Sequence, residues 1–199
     1  LTAHLGLAIL IYTYMFWVAL GLLRDRVSGF PKDGKGLERL TAITVIWVCL
    51  TMLAGALVAG LDAGFTYNTF PLMDGKFFPE GLFQLSPIFL NFFENLTTVQ
   101  FNHRVMAKVL MVLGALLWWQ ACRQITSNYA RWPFDLFAAL LIIQFGLGIA
   151  TILLVVPLFL AVAHQAVAFL LLATGLLALH RLRNAGLVHL SSPTTLSPS

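Results

Sequence analysis

Residues 60–104, GLDAGFTYNTFPLMDGKFFPEGLFQLSPIFLNFFENLTTVQFNHR, decide how the rest of the chain is read. This is the one long stretch that is neither an uninterrupted apolar helix nor a charged linker. It leaves one hydrophobic segment, passes through Gly, Asn, Asp and Pro turn chemistry, and re-enters an apolar phase at His103-Arg104. An ionisable pair at the mouth of such a segment is costly to bury in hydrocarbon unless something coordinates it, which makes the pair a candidate functional site.

Composition sets the class around that stretch. The chain is 59% hydrophobic and 10% charged, with a mean hydropathy of +0.87. A soluble globular domain carries roughly 25% charged residues, so that class is excluded. The reading is an all-α polytopic membrane protein with five transmembrane helices, because five apolar segments reach the roughly 20 residues that a bilayer-spanning helix needs. They cover 3–23, 40–61, 99–121, 133–156 and 157–182. No alternating pattern suggests a barrel, and backbone in lipid must satisfy itself within a helix. Cys49 and Cys122 lie in or at the end of apolar runs, as small apolar residues rather than a disulfide or a metal pair. The first residue is Leu, without the charged n-region of a signal peptide, so the chain is expected to be a piece of a longer protein.

The connections carry the orientation. Arg24, Arg26, Lys32, Lys35 and Arg39 crowd the first, Arg123 and Arg131 flank the third, and Arg181 and Arg183 follow the last helix. The second connection holds Lys76 against Asp62, Asp74, Glu80 and Glu94. By the positive-inside rule the basic connections face the cytoplasm or matrix, and the long loop faces the opposite side. Within it, residues 87–95 are short and rich in Phe, and are expected to lie flat at the interface.

Three histidines then share one depth. His4, His103 and His164 open the first, third and fifth helices, which all run from the outer side inward. Four residues on, on the same face, stand Ala8, Ala107 and Ala168; eleven residues on stand Gly114 and Gly175, with Met15 in the first helix. Small residues below a histidine leave room for a flat macrocycle, although close packing of membrane helices asks for small residues too. A haem would take two such imidazoles from facing helices as axial ligands, with Arg104 as candidate partner for a propionate. Zinc is disfavoured, since no Cys or carboxylate accompanies the histidines at ligand spacing. His180 and His189 belong to the inner end and the tail, where a cationic or solvated role is expected.

GLDAGFTYNTFPLMDG, FENLTTVQFNHR and VPLFLAVAHQA together resemble the carboxy-terminal half of the haem A synthase (COX15/CtaA) family, in the branch shared by proteobacteria and mitochondria. The resemblance covers nearly all of residues 3–182 and implies eight membrane helices in two similar halves. On that basis 1–23 would be the last helix of the first half, 24–39 an inner basic loop, 40–182 the second-half four-helix haem-binding bundle with outer loop 61–99, and 183–199 a disordered tail. The family implies His103 and His164 as axial ligands of haem b and His4 as part of the substrate haem site. Its glutamate-plus-histidine catalytic motif is absent here, as are the loop cysteines of the Gram-positive branch.

The activity implied is oxidation of the haem O methyl group to the formyl group of haem A, with electrons leaving through the haem b site. Haem O as substrate, the lipid bilayer, haem O synthase and a second copy of the chain are the partners implied; no nucleic acid is expected. The location implied is the bacterial plasma membrane or the mitochondrial inner membrane. Residues 1–199 alone are expected to bind haem b and make no haem A. A di-haem b-type membrane cytochrome that only relays electrons would use the same paired histidines. A transporter lacks support, because no broken-helix pair or buried carboxylate marks a midplane path.

Overall fold

The computed structural model describes residues 2–23, 28–31 and 34–190, and of residues 186–190 the backbone alone. Five helices follow one another: α1 (Thr2–Leu22), α2 (Lys35–Gly60), α3 (Leu96–Gln124), α4 (Asn128–Leu153) and α5 (Leu158–Leu190). Each is long and apolar enough to cross a membrane. No strand forms among the described residues, where a bridge between Met73 and Lys76 closes one tight turn. The chain is an all-α, multi-pass membrane protein.

Helix ends depart from the hydropathy segments for local reasons. Helix α3 begins at Leu96, ahead of residue 99, because the Asn95 side chain caps it by accepting the Thr98 N–H at 3.0 Å. Helix α4 begins at Asn128 and carries Pro133 within it. A proline has no N–H for the carbonyl four residues back, here Tyr129. Arg181 of α5 donates its Nη1 to that oxygen at 3.1 Å, so the freed acceptor is satisfied across the helix pair. Helix α5 continues through Leu190, past the point at 183 where the tail was expected to leave it. No proline stops it before Pro193. Residues 191–199 of that tail lie outside the described residues, as do Arg24, Arg26 and Lys32 of the basic connection.

Helix α2 packs on α3 and α5, and α4 packs on the same two. The four therefore form a closed square with α3 and α5 at diagonal corners. Helix α1 lies outside it, in the groove between α2 and α5. Toward the basic end the square is filled by Leu37, Leu117, Phe134, Phe137, Leu171 and Leu172, all essentially inaccessible. Truncating a phenylalanine in such a core to alanine costs about 3–5 kcal/mol. Buried threonines avoid exposing hydroxyls to hydrocarbon by donating back along their own helix: Thr41 to Leu37, Thr44 to Leu40 and Thr51 to Trp47, at 2.7–2.8 Å.

At the opposite end, residues 61–95 fold over the bundle. Single 3-10 turns form at Ala63–Phe65 and Ile88–Phe92. In the second, Asn91 is buried and donates to the Leu85 and Ile88 carbonyls while accepting the Leu85 N–H. Ile88, Phe89, Phe92 and Phe93 are exposed around it.

Candidate functional site

His103 lies seven residues beyond the start of α3 at Leu96, and His164 six beyond the start of α5 at Leu158. At a rise of about 1.5 Å per residue both sit roughly 10 Å below the loop end. The two imidazoles thus stand at one depth on diagonal helices, His103 against α2 and His164 against α4.

Each ring is seated on a glycine of the neighbouring helix. A Cβ at Gly55 of α2 would stand 3.0 Å from His103 Cε1, and a Cβ at Gly148 of α4 would stand 3.0 Å from His164 Cε1. These glycines match in depth as well, five residues before the helix ends at Gly60 and Leu153. The backbones of Thr51 and Gln144 come within hydrogen-bonding reach of the His103 and His164 rings respectively. Even so, Nδ1 of each histidine is buried without a completed hydrogen bond. His164 Nε2 lies 3.3 Å from the Gln144 side-chain nitrogen.

Two imidazoles at one depth inside membrane-spanning helices are costly to keep there without a coordinating group. Among the described residues no three His, Cys, Asp or Glu side chains converge on a possible metal position. Two imidazoles are a small donor set for a bare ion. They suit an iron that a porphyrin already holds at four positions, so the residues present fit a haem.

The strip of small residues reads differently here. Gly114 and Gly175 do not keep space for a macrocycle: Leu141 fills the position beside Gly114, and Val45 and Phe137 press to 3.0 and 3.3 Å of a Cβ at Gly175. Their small size admits the core side chains of α2 and α4. Arg104, the candidate partner for a propionate, donates Nη1 to the Thr69 carbonyl at 2.8 Å and Nη2 to the Tyr67 carbonyl at 2.7 Å, while its buried Nε makes no hydrogen bond. It is 7% exposed and fastens the loop to α3. Gln100 donates to the same Tyr67 oxygen at 3.0 Å.

His4 is not brought to the pair. It stands on the exposed face of α1 with Leu7, Ala8, Ile11 and Met15, away from the side packed on the bundle. His180, expected to be solvated, is buried, and its ring meets the Trp17 ring edge-on at 5.1 Å. His189 has no described side chain. Gly55 and Gly148 were missed by the sequence reading, although an isolated glycine inside an apolar helical run is a signal of close approach.

A family model described as cytochrome oxidase assembly protein, COX15-CtaA, matches residues 1–176. The chain is 48% identical to a haem A synthase of Nitrosospira multiformis over 92% of its own length and 52% of that protein's. Corresponding values for the haem A synthase of Granulibacter bethesdensis are 44%, 94% and 48%, and for that of the Wolbachia of Culex pipiens 46%, 92% and 53%. The chain thus spans about half the length of the curated relatives it matches. No solved structure matches it.

Proposed function

Because the chain belongs to the COX15-CtaA family of cytochrome oxidase assembly proteins, we propose that it forms the haem b-binding half of a haem A synthase. The whole protein would be a membrane oxidoreductase that converts the methyl group of haem O to the formyl group of haem A. The observation that carries this reading is the pair His103 and His164, which stand at one depth inside membrane-spanning helices at diagonal corners of the square. Bound between them, a haem supplies reversible one-electron redox chemistry.

The remaining residues have supporting roles. His103 and His164 would hold the haem between α3 and α5. Phe137, Leu141 and Val45 fill the bundle beside Gly114 and Gly175. Arg104 and Gln100 hold the loop over the opposite end through the Tyr67 and Thr69 carbonyls. His4 offers its imidazole on the outer face of α1, so the substrate haem would lie between that face and the remainder of the longer protein. Residues 1–199 alone would accordingly bind haem b without making haem A.

The test is expression of the full-length protein in a host that makes haem O and has no synthase of its own. Haem A should appear in the extracted haems, and His103→Ala or His164→Ala should remove the low-spin b-type spectrum and the haem A together. A bis-imidazole spectrum without any haem A would favour an electron relay. Spectra and haem A both unchanged in the two variants would overturn the ligand assignment.

A further inference from the structure

We propose that Gly55 and Gly148 are the positioning residues of the two haem ligands: each lets an imidazole lie directly against a helix wall, beside a backbone carbonyl that its Nδ1–H can use. The inference rests on the haem reading above.

In an α-helix the carbonyl of one residue accepts the N–H four residues on, and the side chain of that later residue leans back over it. Removing the Cβ there bares the carbonyl, whose second lone pair remains free. Thr51 and Gly55 stand in this relation on α2, and Gln144 and Gly148 on α4. The backbones within reach of the His103 and His164 rings are those of Thr51 and Gln144, each four residues before its glycine. An acceptor at Nδ1 fixes the tautomer and the ring plane, leaving Nε2 for the metal. Both Nδ1 atoms are buried and lack a completed bond, so the adjacent acceptor is available.

At each glycine the three atoms nearest to a Cβ all belong to one histidine ring. For Gly55 the three nearest atoms to a Cβ are His103 Cε1, Nδ1 and Nε2, at 3.0, 3.5 and 3.6 Å. For Gly148 they are the same three atoms of His164, at 3.0, 3.6 and 3.7 Å. Gly146, two residues from Gly148, meets nothing within 4 Å. The same contact thus appears independently on two helix pairs, and it is absent from a glycine one step away.

The full-length protein should be compared with its Gly55→Ala, Gly148→Ala and Gly146→Ala variants for haem retention in detergent and for the low-spin ferric signal. Alanine at 55 or 148 should weaken haem retention about 10- to 100-fold, the range for loss of an outer-shell partner, and shift the low-spin signal. Alanine at 146 should match the parent. A Gly55→Ala or Gly148→Ala protein with the parent's retention and signal would overturn the inference. Should either variant fold poorly, thermal midpoints of haem-free protein decide. Gly55→Ala should cost nothing in a His103→Ala background, where the ring it would strike is gone, and Gly148→Ala nothing in a His164→Ala background. Destabilisation that persists without the ring would mean the glycine serves something else. Failure of the haem reading looks different: the parent would show no histidine-dependent low-spin haem at all.

Discussion

Helices α2 and α3 are joined by residues 61–95, whereas α4 and α5 are joined by residues 154–157 alone. Both hairpins nevertheless set a histidine of the later helix on a glycine of the earlier one, at matching distances from the helix ends. The depth of the ligands is therefore a property of helix register, and the connections are free to differ. The long connection has acquired a second role as a cover. Arg104, the residue after His103, is buried and bonded to it, while Gln165, the residue after His164, is exposed.

The short connection is the strained one. Val155 and Val156 adopt φ of 59° and 56°, a left-handed conformation that β-branched residues rarely take, at a cost of about 1–3 kcal/mol each. It is held from both sides. Val156 donates its N–H to the Thr151 carbonyl at 2.8 Å. Asn68 of the long connection donates to the Ile152 carbonyl at 3.0 Å, and Gly64 leaves room for the Val156 side chain. The two hairpins are thus clasped at the loop end through the cover of one and the turn of the other.

The equivalence of the ligands is open to the strongest test. His103→Ala and His164→Ala should each reduce bound low-spin haem by more than about tenfold and to a similar degree, measured as pyridine haemochrome per protein. Retention by one variant alone would show that the hairpins are not equivalent. The difference in cover comes next. Arg104→Ala removes two charge-assisted hydrogen bonds worth about 1.5–3 kcal/mol each, so trypsin should cut after Lys76 at least tenfold faster. Gln165→Ala should leave that rate unchanged. A smaller loss is expected for Asn68→Ala, about 1–2 kcal/mol in thermal unfolding, because the Gly64 and Ile152 carbonyls lose a donor. The smallest effect is expected at Val155, which is 55% exposed. Val155→Gly should be neutral or stabilise by up to about 1 kcal/mol, since glycine takes positive φ without steric cost. A loss of stability there would show that the turn depends on the valine side chain.

Much of this was legible in the residues. Hydropathy located five spans, since transfer into lipid is favourable segment by segment and needs no knowledge of neighbours. His4, His103 and His164 were legible as candidates because ionisable side chains are rare and expensive in such segments, and the pairing of the last two came with the family resemblance. Helix ends were less so. Asn95 moved the start of α3, and the bond from Arg181 to Tyr129 let α4 run through Pro133, through contacts that no hydropathy window contains.

Which side of each helix faces which neighbour was decided only by the tertiary structure. Helices α1 and α5 are almost equally apolar all round, and lipid is as apolar as leucine, so no amphipathic stripe distinguishes the inside of the bundle from its outside. Ala8, Ala107 and Ala168 look alike along the chain, yet the first is exposed on α1 and the last is buried in the square. Gly114 and Gly175 carry the same sequence signal as Gly55 and Gly148, but packing fills the first two with Leu141, Val45 and Phe137 and turns the last two toward imidazoles. The residues determined that a membrane bundle with candidate iron ligands at one depth would form. Steric fit between helix walls, which depends on residues far apart in the chain, decided where the ligands would have room.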